Sequence, residues 1–264
     1  MKTRRYGFWA IFWATLGMLY FFVPLYGTFD FSLRMQKGML SFLAYQIVLS
    51  DPQFLESFRY SVIMGLITIF ISVLIFLPTT YWVHLKLPQA KPLIEIITIL
   101  PFIIPVIVYV FGLIRTFSQP PLQLTLTPFK TDILITAGYV ILSMPYMYRA
   151  LDAGMRAIDV RALTEAAQSL GANWFQVLVN VIIPNLRIAI LSGALISFAL
   201  VLGELILGDF LVRPALGPYM VLVGRDKAYE PAALGILSFA LTWVCLGVMQ
   251  LVSRGGTSQQ ITGR

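Results

Sequence analysis

The sequence predicts an all-α, polytopic membrane protein, on the evidence of its composition and its long apolar runs. Of 264 residues, 58% are hydrophobic and only 12% are charged, whereas a soluble domain carries about 25% charged residues. Mean hydropathy is +0.83. A helix needs about 20 apolar residues to cross ~30 Å of hydrocarbon, and six runs approach or exceed that length. We interpret residues 1–264 as one transmembrane domain with spans at 8–26, 60–83, 93–117, 133–148, 188–212 and 233–252.

Positive residues orient these spans. An even number of spans puts both termini on one side, and the segments on that side carry Lys2, Arg4, Arg5, Lys86, Lys91, Arg149, Arg156, Arg161 and Arg187. The opposite side carries Arg34, Lys37, Lys130, Arg213, Arg225 and Lys227. Because Lys and Arg favour cytoplasmic connections, we expect both termini in the cytoplasm. The basic residues are scattered between apolar runs rather than gathered on one face, so the net charge of +7 does not indicate nucleic-acid binding.

The first connection, residues 27–58, is too long for a simple link between two spans. Within it, Asp51-Pro52 has the pattern of a helix N-cap followed by proline at the first helical position. We expect a short helix to begin there and to lead into the second span.

Two prolines, Pro101 and Pro105, lie four residues apart in the third span. Each removes a backbone hydrogen bond that lipid cannot replace, so both should face other helices or water. One interpretation is a bent helix that lines a gated translocation path. The other is that proline is simply commoner in membrane helices.

The fifth span combines small residues with carboxylates. Ala189, Gly193 and Ser197 recur every four residues, which predicts a helix-packing seam. Glu204 and Asp209 follow, and a carboxylate inside a membrane is costly enough to indicate a function. We interpret Glu204 either as a cavity-facing group that contacts cargo or a gate residue, or as a structural partner of another helix. Asp209 is nearer the outer end, where an interfacial, solvated carboxylate is expected.

Residues 159–184 form the longest well-patterned stretch that does not resemble a membrane span. Asp159 can cap a first helix, and Gly171 can end it in a left-handed conformation. The apolar stripe of this helix is Val160, Leu163, Ala167 and Leu170, and its polar side carries Arg161, Thr164, Glu165 and Gln168.

A second helix is predicted after the glycine. Asn173 and Gln176 have the spacing of a capping box that opens it, and Pro184 is expected to stop it. Two helices this short are marginal alone, so we expect them to pack on the membrane bundle, on a partner, or on both.

The same stretch carries a spaced motif. Glu165-Ala166-Ala167 is followed by three residues, Gly171, nine residues and Val181-Ile182-Ile183-Pro184. This arrangement resembles the EAA motif of bacterial ABC importer permeases, which is EAA, three residues, glycine, nine residues and I-x-L-P. Val181 and Ile183 are conservative departures from that pattern.

The resemblance implies a type I importer permease with the MetI-like fold. It implies that a coupling helix lies between the fourth and fifth spans and sits in a groove of a separate ATPase. By position, Glu165 would meet basic or polar groups of the ATPase, Ala166 and Ala167 would allow close approach, Gly171 would make the turn, and Pro184 would end the motif. Glu204, Asp209, Pro101 and Pro105 remain the candidates for the translocation pathway.

Partners and cargo are also implied by the resemblance. The partners would be two ATP-binding cassette subunits, a second permease subunit that is a distinct paralogue, an extracytoplasmic binding protein and the lipid of the bacterial inner membrane. Asp51-Pro52-Gln53-Phe54 is most similar to the polyamine-type (spermidine/putrescine) branch, so a small cationic cargo is expected, with ferric ion, thiamine and phosphonate as alternatives. ATP and Mg²⁺ are expected on the ATPase subunits, and no cofactor or metal on this chain.

Other functional classes fit the sequence poorly. An intramembrane enzyme needs a nucleophile with a base, or metal ligands, yet His84 is the sole histidine and neither H-E-x-x-H nor G-x-S-x-G occurs. We interpret His84 as a solvated, structural residue. A secondary transporter built from inverted repeats is disfavoured because no repeat is visible. No G-x-x-x-x-G-K-[ST] motif occurs, so we expect no ATPase site here and energy supplied by another chain.

Overall fold

The structure is a computed structural model that describes residues 7–254, except for the side chains at positions 245, 246, 248, 249 and 252–254. Over this range the chain forms α-helices and no strand, which confirms the all-α prediction. The helices are α1 (Phe8–Ser32), α2 (Leu43–Ser50), α3 (Pro52–Leu85), α4 (Lys91–Ile103), α5 (Val106–Phe117), α6 (Pro128–Arg156), α7 (Val160–Ser169), α8 (Trp174–Val177), α9 (Ile183–Gly203), α10 (Ile206–Phe210), α11 (Leu216–Asp226) and α12 (Tyr229–Arg254).

Three of the described helical stretches are long and apolar enough to cross a membrane. They are α1, α3 and the continuous stretch Trp174–Gly203, with 25, 34 and 30 residues. The segments Pro88–Ile103 and Val106–Phe117 would make a fourth candidate together, although they are bent by 101° at their junction. The count of six spans therefore stays a prediction. So does the side of the termini, since Lys2, Arg4 and Arg5 lie outside the described residues.

The chain divides into two compact units. Of the described residues, the first contains those up to Leu55 together with Tyr219–Leu241, and the second contains Glu56–Pro218 and those from Thr242 to residue 254. In the first unit, Leu33, Ala44, Tyr45 and Ala233 form a small apolar core. Beside it, the buried hydroxyls of Ser32 and Tyr45 share a hydrogen bond of 2.6 Å.

The start of α3 depends on Asp51. Its Oδ1 accepts a hydrogen bond of 2.9 Å from the backbone N–H of Gln53, which confirms the predicted cap. The Tyr219 hydroxyl donates to its Oδ2 at 2.6 Å. The bonds from Tyr219 and Gln53 hold the pKa of Asp51 below its ordinary value against the opposing effect of burial. The predicted short lead-in helix is wrong, because the helix that begins at Pro52 runs without a break to Leu85.

The second unit is built around α6. One apolar core lies toward its C-terminal end and includes Phe76, Leu77, Tyr81, Met147, Leu151, Met155, Val160, Val177, Leu178, Ile182 and Leu186. The other lies toward its N-terminal end and includes Met64, Val110, Leu113, Leu134, Ile135, Tyr139, Val201, Leu207 and Leu211. Helices α3, α6 and α9 therefore contribute to both cores, and α5 contributes to the second.

The predicted small-residue seam is the α6–α9 contact. A Cβ built on Gly193 would lie 2.7 Å from Met147 Sδ and 3.2 Å from Met147 Cα, so any larger residue would have to displace Met147. One turn earlier, the Cβ of Ala189 lies against Gly154, and one turn later Ser197 is fully buried. The seam prediction is confirmed, with its close approach at Gly193.

The third predicted span is not one helix. It breaks at Ile104, whose φ of −85° and ψ of 119° are extended, because the ring of Pro105 disfavours the helical conformation at the preceding residue. Pro101 stays inside α4 without breaking it. Glu95 on α4 pairs with Arg156 at one end of α6, whereas α5 packs in the core at the other end. The bent pair therefore runs from one end of α6 to the other.

The fifth predicted span also ends early. Helix α9 stops at Gly203, Glu204 is extended with φ −76° and ψ 126°, and the short α10 follows. The continuous helix predicted over 188–212 is therefore wrong beyond residue 203.

Candidate functional site

The segment 159–184 is called the coupling segment below, after the role that the resemblance implies for it, and it begins with a helix whose two ends were both predictable. The Asp159 side chain accepts a hydrogen bond of 3.0 Å from the backbone N–H of Ala162. At the other end Gly171 has φ +86°, and the N–H groups of Gly171 and Ala172 donate to the carbonyls of Gln168 and Ala167. This pair of bonds is a Schellman ending, for which glycine is the favoured residue.

The second helix opens as predicted but does not stop as predicted. Asn173 and Gln176 form a capping box with two bonds of 2.9 Å. Beyond α8 a π-helical turn covers Leu178–Ile182, and α9 continues from Ile183. Pro184 therefore does not stop the helix. The widened turn before it provides room for the proline ring, which would clash with the carbonyl of residue 180 in a regular helix.

The buried side of the coupling segment packs on the C-terminal core of α6. Val160, Val177 and Ile182 are buried there. Thr164, predicted on the polar side, is only 2% exposed, because its hydroxyl bonds to the carbonyl of Val160 at 2.7 Å and to the Tyr81 hydroxyl at 3.1 Å. The assignment of Thr164 to the polar side is wrong.

The opposite side of the segment faces outward. Leu170, assigned to the apolar stripe, is 90% exposed, so that assignment is wrong too. The surface is made of exposed residues on α7, its C-cap and α8: Arg161, Glu165, Ala166, Gln168, Leu170, Trp174 and Phe175. No described residue forms an ion pair with the Glu165 carboxylate. Ala167 is half-buried, and Gly171 and Pro184 are exposed.

A cluster of charged residues around a buried carboxylate lies beside the coupling segment and is called the Asp152 cluster. Asp152 is 7% exposed. Its Oδ1 lies 2.8 Å from His84 Nε2 and 3.0 Å from Lys91 Nζ, and its Oδ2 lies 2.6 Å from Arg156. Arg156 also approaches Glu95 at 3.5 Å. The solvated interpretation of His84 is wrong, since its side chain is 16% exposed and paired.

Electrostatics favours the ionised form of Asp152, which lies beyond the predicted span 133–148. Burial by itself raises the pKa of this carboxyl, but the hydrogen bonds from Lys91, His84 and Arg156 outweigh it and hold the pKa below its ordinary value. The only local signal in the sequence is the four-residue spacing of Asp152 and Arg156 on one helix face. His84 and Lys91 are more than 60 residues away along the chain, so no local pattern could have found them.

A second polar cluster, called the Asp132 cluster, links α3, the N-terminal end of α6 and the loop after α10. Arg213 binds Asp132 in a bidentate manner, with Nε 2.7 Å from Oδ1 and a terminal nitrogen 3.0 Å from Oδ2. The Tyr60 hydroxyl donates to the same carboxylate at 2.6 Å. Val212, next to Arg213, has φ +53°, a conformation that costs a β-branched residue about 1–3 kcal/mol. The bidentate bond therefore holds a strained loop in place.

We expect Arg213→Gln to lower the free energy of unfolding by about 2 kcal/mol. Breaking a fully buried pair costs about 3–5 kcal/mol, and here the two side chains are partly exposed, at 15% and 24%. Thermal inactivation of the purified protein in detergent measures the effect. The matched control is Arg34→Gln, which breaks an exposed pair with Asp30 and should change stability by less than about 1 kcal/mol. Equal effects of the two variants would contradict the structural role of the Asp132 cluster.

Glu204 lies at the break between α9 and α10. Its carboxylate accepts hydrogen bonds from the backbone N–H groups of Ile206 at 2.8 Å and Leu207 at 2.9 and 3.0 Å, with Gly208 at 3.4 Å. The carboxylate therefore caps α10. Asp209 is exposed. The assignment of both residues to a translocation pathway stays a prediction.

Two variants distinguish the effect of the capping hydrogen bonds of Glu204 from the effect of its negative charge. We expect Glu204→Ala to lower stability by about 1 kcal/mol through loss of the cap and to weaken uptake while the complex still assembles. Glu204→Gln keeps one oxygen that can accept from the N–H groups of Ile206 and Leu207, so it should restore most of the stability but not uptake. Thermal inactivation and uptake into vesicles are the measurements. Unchanged uptake in both variants would show that the charge is not used in transport.

The bend in the third span borders an apolar cavity. The cavity has a volume of about 330 Å³ and is lined by Ile97, Leu100, Pro101, Ile104, Tyr109, Ile141, Leu142 and Met144. Pro105 itself forms the break. Pro101 therefore lines the cavity and Pro105 lies at the bend, and the role of both prolines in translocation stays a prediction.

The chain is similar to known transport proteins. The family model described as "Binding-protein-dependent transport system inner membrane component" matches residues 57–255. The putative ferric transport system permease protein FbpB 1 of Haemophilus influenzae is 30% identical over 192 residues, which cover 70% of this chain and 28% of that protein. The spermidine/putrescine transport system permease protein PotB of Escherichia coli is 27% identical over 161 residues, which cover 55% of this chain and 56% of that protein.

Solved structures extend the likeness over more of the chain. A chain from the crystal structure of a bacterial alginate ABC transporter, in complex with an alginate pentasaccharide-bound periplasmic protein, aligns with a TM-score of 0.73 and 16% identity. The alignment covers 95% of this chain and 94% of that one. The chain thus spans about half of the polyamine relative and less than a third of the ferric relative, but nearly all of the structural neighbour.

Proposed function

Because the chain belongs to the family of binding-protein-dependent transport system inner membrane components, we propose that it forms half of the translocation pathway of an ABC importer. In this proposal it lies in the bacterial inner membrane with both termini in the cytoplasm. It works with a second, distinct permease subunit, two ATP-binding cassette subunits and an extracytoplasmic binding protein. ATP and Mg²⁺ bind to the ATPase subunits, and this chain serves transport without an ATPase site of its own.

The exposed face of the coupling segment is the observation that carries the proposal. Glu165 and Ala166 point outward beside Leu170 and Phe175, which are 90% and 60% exposed. A surface that combines the Glu165 carboxylate with exposed apolar side chains, on a helix pair whose other side is buried, matches a groove that offers apolar contacts and a basic or polar group. We therefore propose this face as the ATPase-docking surface.

The cargo is proposed to be a small cation. The relatives are named for spermidine and putrescine or for ferric transport, and all of these cargoes are positively charged. A carboxylate at the break after α9 suits cationic cargo, since a charge inside a bundle indicates a pathway. We propose a polyamine first and ferric ion second.

Reconstitution tests the function. The chain, purified with its permease, ATPase and binding-protein partners, is placed in vesicles with ATP on the ATPase side. We expect uptake of labelled putrescine or spermidine that needs both ATP and the binding protein. Uptake of labelled ferric ion instead would identify ferric ion as the cargo. Absence of ATP-dependent uptake of both cations would overturn the proposal of a cationic cargo.

A further inference from the structure

We propose that the Asp152 cluster is the joint through which movement of the coupling segment reaches the bend at Ile104–Pro105, with Asp152 as a positioning residue. This inference rests on the proposed docking of the coupling segment on an ATPase. It concerns what happens inside this chain after docking, and each link in it is a contact within the second unit.

The first link joins the coupling segment to α3. Thr164 and Tyr81, which are 2% and 1% exposed, share a hydrogen bond of 3.1 Å. Val160 and Val177 bury their side chains in the same core as Tyr81. Since interiors this closely packed transmit displacement rather than absorb it, the end of α3 moves with the coupling segment.

The second link joins α3 to α6. His84 follows Tyr81 by three residues, so it lies on nearly the same face of α3. Its Nε2 is 2.8 Å from Asp152 Oδ1. Asp152 lies in the last two turns of α6, and only Ala157, Ile158 and Asp159 separate α6 from α7. The coupling segment is thus connected to the Asp152 carboxylate in two ways. One is the short chain segment 157–159, and the other is the pair of α3 side chains Tyr81 and His84.

The third link reaches α4. Lys91 is the first residue of α4 and lies 3.0 Å from Asp152, and Glu95, one turn later on the same face, pairs with Arg156. Two ion pairs, Lys91–Asp152 and Glu95–Arg156, therefore connect the start of α4 to α6. The charges balance, since Lys91 and Arg156 face Asp152 and Glu95. From there α4 runs about 20 Å, at 1.5 Å per residue, to the bend.

The arrangement gives Asp152 a role that no other residue in the cluster has. It alone contacts α3, α4 and its own helix at once. Because the carboxylate is buried, its loss leaves Lys91 without its partner, and the one charge pair among the described residues still joining α4 to α6 is the exposed Glu95–Arg156 pair, which is too weak to make α4 follow α6. Helix α4 can then stay still while the coupling segment moves.

Labelling of the bend tests the joint without knowledge of the cargo. Ile104, which is 40% exposed, is replaced by cysteine in a Cys245→Ser background. The thiol-reaction rate is measured in the assembled complex without nucleotide and after trapping with ATP and vanadate. With Asp152 present we expect the rate to change severalfold on trapping. In Asp152→Asn we expect that change to be lost while the complex still hydrolyses ATP.

Two companion variants keep the test decisive. Asp152→Glu retains the charge and should recover part of the nucleotide-dependent change. Lys91→Gln removes the link from α4 to Asp152 and leaves Asp152 paired with His84 and Arg156, so it should reproduce the loss even if Asp152→Asn does not assemble. Asp30→Asn is the matched control, since it makes the same substitution in an exposed pair and should leave the labelling change intact.

The outcomes separate this inference from the proposed function. A nucleotide-dependent change of the same size in Asp152→Asn or Lys91→Gln overturns the joint, and so does a bend whose labelling never responds to nucleotide. A proportional fall in both assembly and ATP hydrolysis, with the remaining complex labelled normally, shows a stabilising role only and also overturns it. ATP-driven uptake of labelled putrescine by the unaltered complex in the same vesicles reports on the proposed function independently.

Discussion

Glu165→Lys is expected to abolish ATP-driven uptake while the protein still reaches the membrane in normal amounts. The residue is exposed on α7 and forms no ion pair with the described part of the chain, so folding does not depend on it. A lysine there would face the basic or polar groups that the proposed ATPase groove offers to a carboxylate. Like charges placed against each other at an interface cost several kcal/mol, enough to release the ATPase.

Two measurements check this prediction together. Uptake of labelled polyamine into vesicles reports transport, and recovery of the ATPase with the affinity-purified permease reports docking. Glu56→Lys makes the same change at an exposed position near the start of α3 and should preserve both. Normal uptake by Glu165→Lys would contradict the assignment of this face to the ATPase, while loss of the protein from the membrane would contradict the view that Glu165 is free of the fold.

Features of the coupling segment that depend on neighbouring residues were readable from the sequence. The Asp159 cap, the left-handed Gly171 and the Asn173–Gln176 box each involve atoms at most a few residues apart, so local chemistry decides them. The spacing of the EAA motif also indicated the family, which the match over residues 57–255 confirms. The alignment with an ABC transporter chain confirms the predicted permease fold.

The exposed and buried faces of the same segment were not readable from hydrophobicity. Leu170 follows the last turn of α7 at its C-cap, where the chain turns away toward Gly171, and it no longer shares the helix face. Thr164 can be buried because its hydroxyl is satisfied twice, by the carbonyl of Val160 and the hydroxyl of Tyr81. A polar residue with both bonds made costs little to bury.

The two charge clusters could not be predicted because they are assembled by the packing of distant helices. Arg213 and Asp132 are separated by 81 residues, and His84 and Asp152 by 68. The predicted topology did place the members of each cluster at the same side of the membrane. It could not tell which of the many residues at that side would meet.

Helix breaks were predictable only in part, since proline is neither necessary nor sufficient for one. Pro105 breaks the third span, but Pro101 lies inside α4 and Pro184 inside the helical stretch Trp174–Gly203. The break after Gly203 has no proline at all. It is stabilised by the Glu204 carboxylate, which satisfies backbone N–H groups of α10, and by close packing of another backbone segment.

That packing predicts a large effect of Gly217→Ala. A Cβ at Gly217 would overlap the carbonyl oxygen of Glu204, and it would lie 2.9 Å from both its carbonyl carbon and the Cα of Leu205. These are backbone atoms at the break itself, so no side chain can turn aside to make room. Overpacking of a close contact costs about 1–3 kcal/mol, and a backbone obstacle places this variant near or above 3 kcal/mol.

The same helix offers the control for this substitution. Gly224 also lies on α11, and a Cβ there would meet only Pro231 Cγ at 3.9 Å, which is ordinary contact. Gly224→Ala should therefore leave thermal inactivation in detergent within about 0.5 kcal/mol of the unaltered protein, or raise stability slightly through better helix propensity. Gly217→Ala should lower the inactivation midpoint by several degrees and reduce uptake, because the added Cβ would displace the backbone of Glu204 and Leu205 at the break. Equal behaviour of the two variants would show that the break after Gly203 does not depend on the close contact with Gly217. The hydrogen bonds of Glu204 would then be sufficient to stabilise the break.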